Sequence, residues 1–415
     1  METGHKDAQP VTARHWLVLA VATFVAASGS AFVVGVAFLL PHLHSTEGFS
    51  LTRAGVLVAL PSVGMALTLV AWGWLVDRTG EKLVLTSGSA LAAAALTAAV
   101  VSSSFPVLAA AFLVAGAATA SGNSASGRLV VGSFPAHRRG LAMGVRQMSQ
   151  PAGLAVAALT MPALAETHSL RAALAVPLAM TAVSAIAALV VVTDPPRPAG
   201  PGRPAAGAPA ATRRANPYRE SGYLQRIHGA SVLLVLPQAL MQSFLLAWLV
   251  LGHGWSTVSA GAVVTASQVL GAAARIAAGA VSDRVGSRMR PMRGVAVAVS
   301  AGLAALAVAE ALGVPGAVAV TLAVAATVLS VTDNGLAFTA VAEHAGADWA
   351  GRALGVQNTA QFVAISAATP LMAAGIERVG YWPVFAAAAM VAACAVPVVP
   401  LPRAAAEPFR YRRLH

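Results

Sequence analysis

The decapeptide GWLVDRTGEK runs from Gly73 to Lys82, and 206 residues later the chain reads GAVSDRVGSR, Gly279 to Arg288. Each copy sets a glycine four residues ahead of Asp-Arg and follows with a second glycine and a base. The first is carried by Gly73, Asp77, Arg78, Gly80 and Lys82, the second by Gly279, Asp283, Arg284, Gly286 and Arg288. Only 10% of the 415 residues are charged and 57% are hydrophobic, against roughly 25% charged in a soluble protein. A charged decapeptide repeated in so apolar a chain marks a structural repeat.

The sequence around it shows what repeats. A helix needs about 20 apolar residues to cross a bilayer. Twelve such runs are present, at 15–40, 54–76, 83–104, 106–131, 141–164, 171–192, 228–251, 258–281, 292–312, 315–341, 352–375 and 381–400; they are called spans 1 to 12. Segments such as LAAAALTAAVV lack the period-two alternation of a barrel strand, so the expected fold is an all-α integral membrane protein. The first run exceeds the ~7–15 residues of a signal-peptide core and reads as a span. The single cysteine, Cys394, excludes an intrachain disulfide and any Cys-rich metal site.

Net charge is +12. In a soluble protein that excess points to nucleic acid; here the bases sit between apolar runs, so no nucleic-acid partner is expected. With the N-terminus placed in the cytoplasm and the spans alternating, 21 Lys and Arg fall inside and three outside, Arg53, Arg171 and Arg378. Three more, Arg128, Arg146 and Arg275, lie within spans. That asymmetry predicts a multi-pass protein of the cell membrane with both termini cytoplasmic. The segment 194–226, rich in Pro, Gly and Arg, reads as a cytoplasmic linker.

Two halves flank it, 1–193 and 227–415. GFSLTRAGVLV (Gly48–Val58) matches GWSTVSAGAVV (Gly254–Val264) at the same offset of 206, and LAMGVRQMSQ (Leu141–Gln150) matches RALGVQNTAQ (Arg352–Gln361) at 211. The second offset also sets Asn123 on Asn334. Each copy has an even number of spans, so the copies share orientation: a parallel repeat about an axis along the membrane normal, an architecture of transporters.

Asp77 and Asp283 fall just past the expected ends of spans 2 and 8. A helix C-terminus repels a carboxylate, so each acid needs a partner, and the free N–H groups at the start of a neighbouring helix would serve. Spans 5 and 11 start on that side. Gly73 and Gly279 let helices approach closely, and Arg78, Lys82, Arg284 and Arg288 can complete an ionic cluster, a conformational latch. In these residues the chain resembles the major facilitator superfamily, whose signature loop between spans 2 and 3 reads Gly-x-x-x-Asp-Arg-x-Gly-x-[Arg/Lys]. The resemblance covers nearly the whole chain. It implies alternating access by rocking of two six-helix halves, a central cavity lined by spans 1, 4, 7 and 10, and a latch at the two decapeptides.

An ionisable residue inside a span is a functional candidate. Asp333 lies in span 10, about eight residues or roughly 12 Å from its cytoplasmic end; it reads as a coupling acid or as a structural one. Arg128 in span 4 either snorkels to the interface or forms a cationic site in the inner vestibule, attracting an anionic substrate or pairing with Asp333. Arg146 in span 5 shares a face with Gln150, and Arg275 in span 8 reads as structural. Among neutral polar residues, Gln238 and Gln242 share a face of span 7, Asn123 and Asn334 are repeat mates, and Gln357 and Gln361 share a face of span 11. Each either lines the cavity or joins helices. Two histidines near the end of span 1, His42 and His44, read as solvated loop residues.

No cluster of catalytic groups is evident, and no Gly-x4-Gly-Lys-[Ser/Thr] loop is present, so neither an enzyme nor a directly ATP-driven pump is expected and no cofactor is required. The alternative is a membrane-embedded enzyme or sensor without transport activity. The favoured expectation is a proton-coupled secondary active transporter. It would act as a monomer in the lipid bilayer on a small-molecule substrate, exporting a metabolite or antimicrobial or importing an organic anion.

Overall fold

The computed structural model describes residues 11–102, 104–134, 139–194, 216–345 and 349–400. Twelve helices in it are long and apolar enough to cross a membrane: Ala13–Ser45, Leu51–Val76, Glu81–Val101, Phe105–Val130, Val145–Thr167, Leu170–Val191, Tyr223–Gly252, Thr257–Val285, Met289–Ala311, Gly316–Ala345, Arg352–Val379 and Tyr381–Val398. They are spans 1 to 12 in order. The linker is shorter on its C-terminal side than the sequence suggests, because span 7 starts at Tyr223 after a turn of helix at Pro217–Glu220.

Local signals set the ends. Ser50, Ser169 and Ser256 cap spans 2, 6 and 8 by accepting a backbone N–H three residues on, the usual duty of serine at that position. Three spans are interrupted, span 1 passing from Ala13–Val33 through a 3-10 turn at Gly35–Leu39 to Leu40–Ser45. Span 5 is built from helices Arg139–Gln147 and Ser149–Thr167. Span 10 is built from Gly316–Ser330 and Asp333–Ala345, with Val331 and Thr332 between.

Turns after even-numbered spans share one face, here the signature face because both decapeptides lie on it; turns after odd-numbered spans share the opposite face. Spans 1–6 pack among themselves, span 1 on 4, 5 and 6 and span 3 on 4 and 6. Spans 7–12 repeat this, with span 7 on 10, 11 and 12 and span 9 on 10 and 12.

Among the described residues three helix pairs join these groups: span 2 with span 11, span 5 with span 8 and, less extensively, the end of span 1 with span 7. The tight points lie toward the opposite face. A Cβ on Gly55 would sit 2.4 Å from that of Ala373, and one on Gly261 would sit 2.3 Å from the carbonyl oxygen of Ala158. Toward the signature face, a Cβ on Gly73 or Gly279 would meet nothing within 4 Å among the described residues. The close approach expected at Gly73 and Gly279 is thus absent from this conformation, and the repeat-related glycines Gly55 and Gly261 make it instead.

Candidate functional site

Both decapeptides are more helical than expected. The helix of span 2 continues to Thr79 and that of span 8 to Val285, so Asp77 and Asp283 occupy last turns rather than loops. Gly80 ends the first helix with φ +99° and Gly286 the second with φ +62°, backbone conformations open to glycine. The side chain of Asp77 lies outside the described residues. Arg78 stacks its guanidinium over Trp74, 3.8 Å from the ring centre. The backbone N–H of Lys82 donates to Asp194 at 2.8 Å, so the acid just past span 6 caps the start of span 3.

An ionic cluster does form at the second copy. Arg288 donates to Asp283, to Ser282 Oγ at 2.9 Å and to Glu343 at 3.1 Å. Arg284 is exposed. All members belong to spans 8 and 10 and the turn after span 8, so in this conformation the cluster ties the C-terminal group to itself. The bond to Glu343 is the largest influence and holds the Arg288 proton more firmly than in a free arginine; desolvation opposes it, and the bond to Asp283 adds to it. Glu343 has no counterpart in the decapeptide pattern, and the sequence reading missed it.

At mid-depth, span 10 breaks where the buried acid sits. Asp333 is 2% exposed and opens the helix Asp333–Ala345, whose N-terminal N–H groups favour a carboxylate. Arg275 of span 8 reaches the same break, where its Nε–H donates to the Val331 carbonyl at 2.9 Å, two residues before Asp333. Next to Asp333, Asn334 donates to Gln238 Oε1 on span 7 at 3.0 Å. Spans 7, 8 and 10 therefore converge on the break.

Of the readings open for Arg128, pairing with Asp333 is not the one this conformation shows. Arg128 pairs with Glu81 at 3.4 Å, at the start of span 3. Span 4 carries Arg128 near the signature face within the N-terminal group, and Glu81 lies at that depth in the same group. Arg146 donates twice to Ser126 Oγ, at 3.0 and 2.9 Å, tying span 5 to span 4; the interruption at Met148 separates it from Gln150. Asn123 is exposed and donates to Met65 Sδ at 3.3 Å.

Gln357 belongs to a chain of bonds at the signature-face end of spans 7 and 11. Tyr218 O–H donates to His228 Nε2 at 2.9 Å, His228 Nδ1–H to Gln357 Oε1 at 3.2 Å, and Gln357 Nε2 to Ser231 Oγ at 3.3 Å. That bonding suits a structural role, and burial raises the Tyr218 hydroxyl above its ordinary value. Gln242 and Gln361 are buried, and their amide nitrogens have no protein partner among the described residues. No group of three or more His, Cys, Asp or Glu is placed to hold a metal among the described residues.

The arrangement of two joined six-helix groups is matched elsewhere. The chain superposes with a bacterial homolog of the human lysosomal transporter Spinster, solved inward-facing and unoccupied, at a TM-score of 0.76 and 13% identity, covering 94% of this chain and 97% of that one. A D-xylose-proton symporter gives a TM-score of 0.72 at 16% identity, covering 93% and 98%. In sequence the chain is 43% identical over 396 residues to an uncharacterized MFS-type transporter of Mycobacterium tuberculosis strain H37Rv, spanning 95% of this chain and 87% of the relative. A counterpart in strain CDC 1551 matches equally. The family model of the Major Facilitator Superfamily matches residues 19–369. The chain is a multi-pass membrane transporter and belongs to the Major Facilitator Superfamily.

Proposed function

We propose that the chain is a secondary active transporter that moves a small organic solute across the cytoplasmic membrane by alternating access, with a proton carried on Asp333. The observation that carries this reading is the burial of Asp333 at the break of span 10, where Arg275 of span 8 donates to the Val331 carbonyl. A carboxyl at that depth is costly when charged. Its charged form is favoured by Arg275 and by the helix N-terminus, and its neutral form by apolar surroundings. A small rearrangement of span 8 against span 10 therefore decides whether the proton is held or released. Gln242 and Gln361 present unpartnered amide donors to oxygen acceptors on the solute, with Gln238 and Asn334 beside the acid. One chain carries both halves, so a monomer suffices. The bias of bases toward those loops supports a cytoplasmic signature face, and on that reading the conformation described is inward-facing.

The test begins with ligand-dependent thermal shifts across a metabolite library to identify a substrate. Asp333→Asn in proteoliposomes then abolishes pH-gradient-driven accumulation and preserves substrate exchange without a gradient, because exchange needs rocking but no net proton movement. Loss of both activities marks a structural acid. Intact accumulation removes Asp333 from the coupling path.

A further inference from the structure

Glu166 and Glu377 stand at the opposite-face ends of spans 5 and 11, within the last turn of each helix. The offset of 211 residues that relates Asn123 to Asn334 relates them too. A carboxylate at a helix C-terminus faces the negative end of the dipole, so neither is placed there to favour its own helix. Each crosses to the other half. Glu377 accepts the backbone N–H of Thr52 at 2.9 Å and also its hydroxyl. Glu166 accepts the hydroxyl of Thr257. Thr52 and Thr257 lie in the first turns of spans 2 and 8, where positive helix ends and free N–H groups attract anions.

The two contacts flank the tight glycines: Gly55 lies one turn beyond Thr52, and Gly261 one turn beyond Thr257. Both glutamates are exposed, and Glu377 borders a cavity of about 330 Å³ with His44 and Tyr381. Water therefore reaches the carboxylates when the contacts part, so release strands no buried charge, in contrast to a buried ion pair.

We propose that Glu166 and Glu377 form a twofold clasp that holds the halves together at the face opposite the signature loops, and that its release opens that face. The proposal rests on the alternating-access reading and adds the groups that set the balance between states. It assigns to this face the acid-to-helix-start logic that the decapeptides suggest for the other.

The test is a distance measurement in the full-length protein in lipid nanodiscs. Cys394, the chain's single cysteine, is replaced by serine, and spin labels are placed at Val56→Cys and Val379→Cys, exposed positions on spans 2 and 11. The short-distance population dominates in the labelled parent. Glu166→Gln or Glu377→Gln alone raises the ratio of long to short populations about threefold, and the pair about tenfold, the size expected for loss of one and two charge–helix contacts. Thr52→Val with Thr257→Val shifts it in the same direction. Gly55→Trp, a wedge against Ala373, serves as the positive control. The clasp is overturned if the double glutamine variant coincides with the parent while the wedge lengthens the distance. If the wedge also leaves the distance unchanged, the halves do not rock, and the alternating-access reading falls with the clasp.

Discussion

Arg275 donates its Nε–H to the carbonyl oxygen of Val331 across 2.9 Å, so span 8 satisfies a backbone acceptor freed where span 10 breaks. An interrupted helix inside a membrane survives only if its loose groups find partners. Arg275→Ala removes that partner and the positive charge at the break. The expected cost is about 1–3 kcal/mol, read as a lower unfolding temperature in detergent, and Arg275→Lys recovers part of it. An unchanged midpoint in Arg275→Ala would show that the bond contributes nothing.

The pair of Arg128 and Glu81 is asymmetric, with side chains 47% and 7% exposed. Removing the arginine leaves a nearly buried carboxylate with less compensation, whereas removing both charges leaves none stranded. Arg128→Ala is expected to cost about 2 kcal/mol, reduced from the fully buried case by the exposure of the arginine. Arg128→Ala with Glu81→Gln should cost less than Arg128→Ala alone. A double-mutant cycle on thermal stability checks the order, and strict additivity would refute the pairing.

Asp283→Asn leaves Arg288 bonded to Glu343, so transport should fall by no more than about twofold, which is well under 1 kcal/mol in the balance of states. Adding Glu343→Gln removes the second carboxylate, and the loss should deepen. Asp77→Asn, in the fuller copy of the signature, is expected to reduce transport strongly at near-normal membrane abundance, since about 1–2 kcal/mol biases states without unfolding a bundle. Flux assays normalised to protein amount decide both, and wild-type flux in Asp77→Asn would end the latch reading.

Topology is open to a direct measurement. Reporter fusions after Arg214 and after Arg413 should both report cytoplasm, and one near Ser103 the outside. Opposite reports from the first two would mean an odd number of crossings between them.

The spans were legible because length and hydropathy act locally: about 20 apolar residues suffice whatever surrounds them. The break in span 10 was not, since Val331-Thr332 holds neither Pro nor Gly and the interruption is stabilised by Arg275, 56 residues away. Asp333 was visible as an acid in an apolar run, but its neighbour was not, because Arg128 and Arg275 are equivalent on paper and only helix packing separates them. Glu81 sits inside the first decapeptide at a position the signature leaves unspecified. Glu166 and Glu377 were within reach of the 211-residue offset, yet a topology argument built on bases passes over acids.

Gly73 and Gly279 have open space where a side chain would go, and so does Gly355 in the first turns of span 11. A glycine inside a helix costs about 1 kcal/mol relative to alanine, and among the described residues no neighbour at these three positions calls for it. Alanine there should leave this conformation as stable or make it more so. On the alternating-access reading proposed above, their identity is accounted for by a closure of the signature face at another stage of the cycle. On that reading, residues that look wasteful in one snapshot are an imprint of the next. Alanine at these sites would produce a protein that melts later and carries less, a separation of robustness from throughput that a stability screen alone would score as an improvement.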